Sequence, residues 1–500
     1  MISAQAQLDR TPTGISGLDE VMMGGLPSGR TTLVTGTSGS GKTVVAMEFL
    51  AHGIAEFGEP GVFVTFEESA PVIRACLLEF GFPIEEWERE GRWEFLEVPT
   101  DLTDSVEVVG RYDFGALVAR IQRVVERTHA KRLVIDSLGA LFATLPDKRY
   151  VRVELVRIAQ ALARMGVTAM MTSERREEYD GISLHGVEEF VLDNVLVLRN
   201  VLDEERRRRT VEVVKFRGAP HHTGEWLFTI DPRRGVTVLP LAFMSSRGQA
   251  STERVSTGVA ELDDMCGGGL FRDAIALVRG PAGSGKTLLA FHFLATAFRT
   301  GERCLLVTFD ESRARVVRDA AGWGVDIPAM ERTGQLRLRA TYPEAESLEE
   351  HFLTLKRDIE EFRPDRFVLD PLSALARIAP RQSALDLVVA LTTVLREHAV
   401  TSLLTSSLLR PGALFGAAGP SGLSSLIDVL ILLHYREWDG RLERSIAIPQ
   451  VRGSDHDLAV RPFVIDSSGI HIETAERVIP DARAPAAWPF EAGEPQGGNV

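Results

Sequence analysis

A lysine followed by threonine, placed after a run of glycines and small residues, can hold a chain of phosphates. The sequence spells this twice, as GTSGSGKT at 36–43 and GPAGSGKT at 280–287. Glycine takes up the backbone angles that turn successive N–H groups toward an anion. A helix start behind the loop adds its positive dipole end. Lysine then reaches the outer phosphates, and threonine offers a hydroxyl to Mg²⁺. The first set is Gly39, Ser40, Gly41, Lys42, Thr43 and Val44. The second is Gly283, Ser284, Gly285, Lys286, Thr287 and Leu288. ATP and Mg²⁺ are the expected ligands.

Such a loop needs acidic partners. Asp136 and Asp370 each close a short apolar run, RLVID and RFVLD. A carboxylate there would be costly without a partner, and it fits the acid that holds a metal and its waters. Glu67 and Glu68 follow the run GVFVTF, at the strand end where ligands of open sheets collect. One of them can position or deprotonate an attacking water. Both cannot point the same way from an extended strand. The second copy reads Asp310–Glu311. The first carboxylate there is one methylene shorter, which could misplace a base, and Asp310 also stands as a metal-side candidate beside Thr287.

The most basic stretch is EERRRRTVEVVKFRG at 204–218. Two glutamates precede the arginines and an alternating strand follows, so a hairpin at a subunit edge explains them at least as well as nucleic acid. Lys215 and Arg217 lie two apart on that strand and so face one way, as paired cationic fingers would. The second copy keeps Arg452 but has Gln450 in the lysine position. His221 and His222 lack neighbours at metal-ligand spacing and read as surface or polar-contact histidines.

The elements that must position these groups come as a repeat. Lys42 and Lys286 stand 244 residues apart (286 − 42), a spacing shared by Asp19 and Asp263 and by Leu26 and Leu270. VTFEES (64–69) matches VTFDES (307–312), RLVIDSLGALF (132–142) matches RFVLDPLSALA (366–376), and VVKFRG (213–218) matches IPQVRG (448–453). Short buried runs (RTTLVTG, GVFVTF, RLVIDS, VTAMMTS) alternate with helical patterns such as 42–57, which predicts an α/β fold with mostly parallel sheets covered on both faces. A small, polar stretch at 242–255 reads as a linker. The expected domains are 1–245 and 246–475, with a mobile tail at 476–500 rich in proline, alanine and glycine.

With 500 residues, 44% hydrophobic and 25% charged, the composition is ordinarily globular. A net charge of −14 argues against a protein whose main task is gripping nucleic acid. VLILLHY (429–435) is too short for a membrane span, and the first residues lack a signal-peptide pattern. Three distant cysteines fit buried thiols in a reducing cytoplasm.

Taken together, these motifs resemble the KaiC family of circadian-clock proteins, from about Thr13 to about Ile472. VEEFVLDNVLVLRNVLDEERRRRTVEVVKFRG (187–218) looks like that family's first-domain signature. The resemblance implies two RecA-like ATPase domains in a double-ring homohexamer, with the first sustaining slow ATP hydrolysis and the second phosphorylating itself. It implies catalytic roles for Glu67 and Glu68. Lys215, Arg217 and His221, with Phe216 between them, match groups that reach the neighbouring subunit's nucleotide. In the second copy Arg452, Ser454 and His456 are the equivalents, and Trp323 and Arg444 match the second nucleotide site. The family's phosphorylated Ser–Thr pair falls on Ser424 and Ser425. KaiB-like partners are a further implication. Against the pattern stand Asp310 for glutamate, Gln450 for lysine, Ser425 for threonine and Pro371 for serine. Two other readings are a nucleotide-gated binding hub, favoured by Gln450, and a RecA- or DnaB-like motor on DNA, disfavoured by the acidic balance.

Overall fold

The structure, a computed structural model, describes residues 9–98, 114–143, 147–179, 181–203, 206–231, 234–239, 251–378, 381–407, 426–438 and 440–473. The chain falls into two compact units, one around each of two nine-stranded sheets.

In the first unit the strands are β1 (Thr31–Gly36), β2 (Gly61–Thr65), β3 (Trp93–Glu97), β4 (Arg132–Asp136), β5 (Thr168–Glu174), β6 (Asn194–Asp203), β7 (Arg206–Phe216), β8 (Glu225–Asp231) and β9 (Gly235–Leu239). Their order across the sheet is β9-β8-β7-β6-β1-β5-β4-β2-β3. The stretch from β6 to β3 is parallel, and β7, β8 and β9 join antiparallel.

Alternation along the strands sorts residues to two faces. Val34, Phe63, Val134, Met170 and Leu196 pack with the helix α1 (Lys42–Phe57) and with Ile73, Leu77 and Trp87. Leu33, Val62, Val64, Leu133, Ile135, Met171 and Val195 pack on the other face, against helices Phe114–Thr128 and Lys148–Met165. Both faces are covered, as the apolar runs predict.

The second unit repeats the plan. Its strands are β10 (Ile275–Gly280), β11 (Cys304–Thr308), β12 (Leu336–Ala340), β13 (Arg366–Asp370), β14 (Thr401–Ser407), β15 (Val429–Trp438), β16 (Arg441–Val451), β17 (Arg461–Asp466) and β18 (Gly469–Ile472). They run in the order β18-β17-β16-β15-β10-β14-β13-β11-β12, the same arrangement strand for strand. Helix α2 (Lys286–Thr300) follows its glycine loop and packs through Leu289, Phe293 and Leu294 into the core of that unit.

The linker expectation needs one correction. Arg254–Val255 is not loose chain but a short strand pairing with Leu270–Phe271, as Arg10–Thr11 pairs with Leu26–Pro27 in the first unit. The guanidinium of Arg254 donates to the Gly269 carbonyl at 2.7 Å and fixes that turn. Residues 242–250 and the tail expected at 476–500 lie outside the described residues, as do Ser424 and Ser425.

Candidate nucleotide sites

Each loop leaves the central strand of its sheet and runs into a helix. Gly41 precedes α1 at φ 97°, and Gly285 precedes α2 at φ 102°, both in the left-handed region that a side chain would strain. The first helical turn leaves the N–H groups of Lys42, Thr43 and Val44, and of Lys286, Thr287 and Leu288, without intrahelical partners. Lys42 Nζ donates to the Thr37 carbonyl at 3.0 Å, and Lys286 Nζ to Gly280 and Pro281 at 2.9 and 2.8 Å. Both ammonium groups therefore lie folded over their own loops. Burial lowers the pKa of each; Glu174 and Asp136 oppose that for Lys42, and Asp370 for Lys286.

The acids arrive on neighbouring strands. Thr43 Oγ1 donates to Asp136 Oδ2 at 3.0 Å, and Thr287 Oγ1 to Asp370 Oδ2 at 2.7 Å. The other oxygen of each aspartate accepts from the next strand, from Thr172 and Thr405 respectively. Burial pushes the Asp136 carboxyl up, against these two hydrogen bonds. The peptide after each aspartate, Asp136–Ser137 and Asp370–Pro371, is cis.

Glu67 and Glu68 part company as adjacent strand-end residues must. The Phe66 N–H donates to the Asp136 carbonyl at 3.0 Å, and Ser137 Oγ donates to Glu67 Oε1 at 3.2 Å. Glu67 thereby shares its surroundings with Lys42, Asp136 and Glu174; burial leads in raising its pKa. Glu68 is raised too, by burial and then by Asp136 and Glu67. In the second unit Glu311 is raised by burial and steadied by Arg315 at 3.7 Å, and Asp310 is exposed two residues beyond β11.

Sequence reasoning missed a clasp that holds each loop from the hairpin beside it. Asn200 and Arg209 face each other across β6 and β7 and donate to the Gly39 carbonyl at 3.3 and 3.5 Å. Tyr435 and Arg444 face each other across β15 and β16; they donate to Ala282 at 3.5 Å and to Gly283 at 3.4 Å. Arg444 thus reaches its own loop. Glu178 completes the first clasp, accepting from Thr37 Oγ1 at 2.6 Å and from the Asn200 N–H at 3.2 Å. The resemblance marks Arg444 and the basic run contains Arg209, but no motif joins these residues to the loops; only strand register does.

Lys215 and Arg217 sit at the other end of the same hairpin. Lys215 pairs with Val195, whereas the loop's Gly36 pairs with Leu198. They are separated by roughly 10 Å along the strands and a similar distance across them. Lys215 Nζ rests on the carbonyls of Glu189 and Leu192 at 2.7 and 2.6 Å, and Arg217 on Phe190 at 3.4 Å. Gln450 Nε2 makes the matching contact in the second unit, donating to the Ile427 carbonyl at 2.7 Å. His221 packs at a tilt against Phe216 with ring centres 5.5 Å apart. The Arg452 N–H donates to Asp428, Ser454 Oγ accepts from Arg254 at 2.6 Å, and the His456 N–H donates to Asp455. Trp323, 37% exposed, closes a turn onto Ala320. Asp19 and Asp263, conspicuous in the repeat, accept from the N–H and hydroxyl of Thr13 and Thr257 and so cap turns.

The residues fit a nucleotide with a divalent ion. Ser40 and Ser284 bury hydroxyls under the loops with no protein partner among the described residues, and each threonine–aspartate pair stands where a metal and its waters would be held. Among the described residues no cluster of His, Cys, Asp and Glu could hold a metal by itself, so phosphate oxygens would complete the shell.

A mostly parallel sheet with its phosphate loop on the central strand and its acid two strands away defines a RecA-like P-loop ATPase domain, here in tandem. Comparison with known proteins narrows the class. The profile of the KaiC ATPase family matches residues 11–242 and again 255–477. Circadian clock protein KaiC3 of Synechocystis is 45% identical over 93% of this chain and 92% of its own length. The circadian clock oscillator protein KaiC of Thermostichus vulcanus is 43% identical over 95% and 91%. The chain belongs to the KaiC family, and ATP is its nucleotide. No helix among the described residues is long and apolar enough to cross a membrane.

Proposed function

We propose that the first unit hydrolyses ATP slowly, that the second binds ATP and phosphorylates the chain on Ser424 and Ser425 at a reduced rate, and that both operate in a cytoplasmic ring of six serving clock-type signalling with KaiB-like partners. The observation that carries this is the position of Lys215 and Arg217. A cation pair at the far end of the hairpin is out of reach of its own phosphates, and its resting contacts are backbone carbonyls that a neighbour's phosphates would replace. Such a head-to-tail, heterologous contact closes into a ring when the rotation allows. His221 belongs to that face of the first unit, and Arg452, Ser454 and His456 to the corresponding face of the second.

In the first site Lys42 and the N–H groups from Gly39 to Val44 would hold the phosphates, and Thr43 with Asp136 would hold Mg²⁺, which would neutralise phosphate charge. Glu67 takes the proton of the attacking water. Its raised pKa makes it a stronger base than an ordinary glutamate. The water oxygen bonds to the γ-phosphorus as the bridging P–O bond breaks, and ADP leaves with that electron pair. Glu68 supports the turn. In the second site Lys286, Thr287, Asp370, Trp323 and Arg444 bind nucleotide, with Asp310 on the metal side and Glu311 as base toward the serine hydroxyl.

The binding-hub reading keeps one specific support. Gln450 carries no charge to replace Lys215, and losing a cation at a transferring phosphoryl costs on the order of 10³ in rate or more. Incubation with Mg-ATP followed by phosphosite mapping, on wild type and Gln450→Lys, decides between them. Phosphate on Ser424 or Ser425 that rises with the lysine supports the kinase. If phosphate is absent from both serines in both proteins, the hub reading stands. Light scattering with excess Mg-ATP tests the ring, and a monomer at micromolar protein removes it.

A further inference from the structure

Strand β5 ends at Glu174, a residue that neither the loop motif nor the acidic turn marks. Its register pairs it with Gly36, the first residue of the phosphate loop. The strand itself lies between β1, which carries the loop, and β4, which carries Asp136. Thr172, two residues back and therefore on the same face, turns its hydroxyl to Asp136. Ser173, between them, donates to Glu188 on the opposite face. Glu174 is thus the next side chain on the Asp136 face, exposed at the rim of the site. Behind burial, its charge is the strongest influence favouring the ammonium of Lys42, and it acts on Glu67 as well.

The second unit repeats this construction up to one residue. Gly280 pairs with Ser407, and Thr405 donates to Asp370 as Thr172 does to Asp136. Where the first unit has a carboxylate, the second has a hydroxymethyl group.

We propose that Glu174 is a further catalytic residue of the first site, accepting a hydrogen bond from the attacking water beside Glu67 and so aligning it with the γ-phosphorus, and that Ser407 in the equivalent place is one reason the second site hydrolyses poorly. This rests on the hydrolytic reading given above. As the water oxygen bonds to phosphorus and the bridging P–O bond breaks toward ADP, one water proton passes to Glu67. The other, held by Glu174 until then, stays on the inorganic phosphate. A water held from two sides has fewer wrong orientations, and that gain appears only as the reaction proceeds.

The test is steady-state ATP hydrolysis by the full chain, for wild type, Glu174→Gln, Glu174→Ser and Glu67→Gln, with Ser407→Glu added to Glu67→Gln. Glu174→Ser, too short to reach the water, is expected to lose roughly 10- to 100-fold in kcat while KM for ATP stays within about twofold, and Glu174→Gln, which keeps a neutral acceptor, to lose less. Unchanged melting of the isosteric Gln variant shows that the fold is intact. Ser407→Glu should raise the hydrolysis that remains once Glu67 is gone. Wild-type kcat in Glu174→Ser beside an inactive Glu67→Gln overturns the proposal and leaves the hydrolytic reading standing. A raised KM with unchanged kcat also overturns it, since Glu174 would then act only in binding. Wild-type turnover in Glu67→Gln removes the hydrolytic reading itself, and this inference falls with it.

Discussion

Glu48 lies six residues into α1, behind the loop it supports, with its side chain fully buried. Both carboxyl oxygens accept from the Val236 N–H, at 2.8 and 3.0 Å, tying α1 to β9. Gly235 leaves the room: a Cβ there would come 2.0 Å from Glu48 Oε1. The groups around it are His52 on the same helix, at 3.9 Å, and Cys76 on the helix Ala70–Glu79, whose thiol responds to the Glu48 charge. Burial raises the Glu48 pKa from 4.5 to about 7, against the Val236 hydrogen bond.

A folded-state pKa above the unfolded one means that the fold prefers the protonated acid. The stabilisation is complete below pH 4.5 and lost as pH rises through 7. It amounts to roughly 3 kcal/mol, of which roughly 2 kcal/mol disappears between about pH 5.5 and 8.5. Glu48→Gln keeps an acceptor for Val236 and has no proton to lose. Denaturant unfolding of both proteins at those two pH values, with hydrogen exchange across α1, isolates the difference. Wild type should lose that stability on going to pH 8.5, and the variant should not. Parallel pH dependence in the two proteins, or a gain for wild type over the variant at high pH, refutes the reasoning. The second unit carries His292 at the matching helix position, where burial lowers the pKa. Its preference for the neutral ring gives the opposite sign, with stability lost as pH falls.

Lys42→Ala should reduce hydrolysis by roughly 100-fold or more and weaken ATP-dependent assembly, whereas Lys286→Ala should leave most hydrolysis and abolish phosphate incorporation; equal hydrolysis losses would contradict the division of labour. Removing the clasp with Asn200→Ala and Arg209→Ala should free the Gly39 carbonyl and weaken nucleotide affinity by about fivefold for each lost hydrogen bond, read by titration with a fluorescent ATP analogue. Arg366, 2% exposed, donates to Glu302 at 2.6 Å and to the carbonyls of Ser256 and Phe293. Arg366→Met should cost about 1–3 kcal/mol, because the Ser256 and Phe293 carbonyls lose their donor while Glu302 keeps Arg272 at 3.0 Å, and a melting curve of the variant reads that loss.

The sequence by itself determined the repeat, the two glycine loops, the apolar strand runs and the helix at 42–57, since each depends on neighbours a few positions apart. Glycine spacing fixes the loop and a period of two fixes the strand, and neither needs distant chain. It also paired Asp136 with Asp370 and Lys215 with Gln450, because duplication printed each position twice. What it left open was direction and company. Glu67 and Glu68 were equal candidates until the Phe66 N–H met the Asp136 carbonyl and Ser137 met Glu67. Lys215 and Arg217 could be read as fingers, but only the register of β6 on β1 puts them at the end of the sheet away from their own loop. Asn200, Tyr435 and Glu174 carried no local signal of their own, and Arg209 only that of a basic run. They reach the loops through strand pairing between segments more than a hundred residues apart, and such register is set by how whole faces of a sheet are buried, a property of the assembled fold.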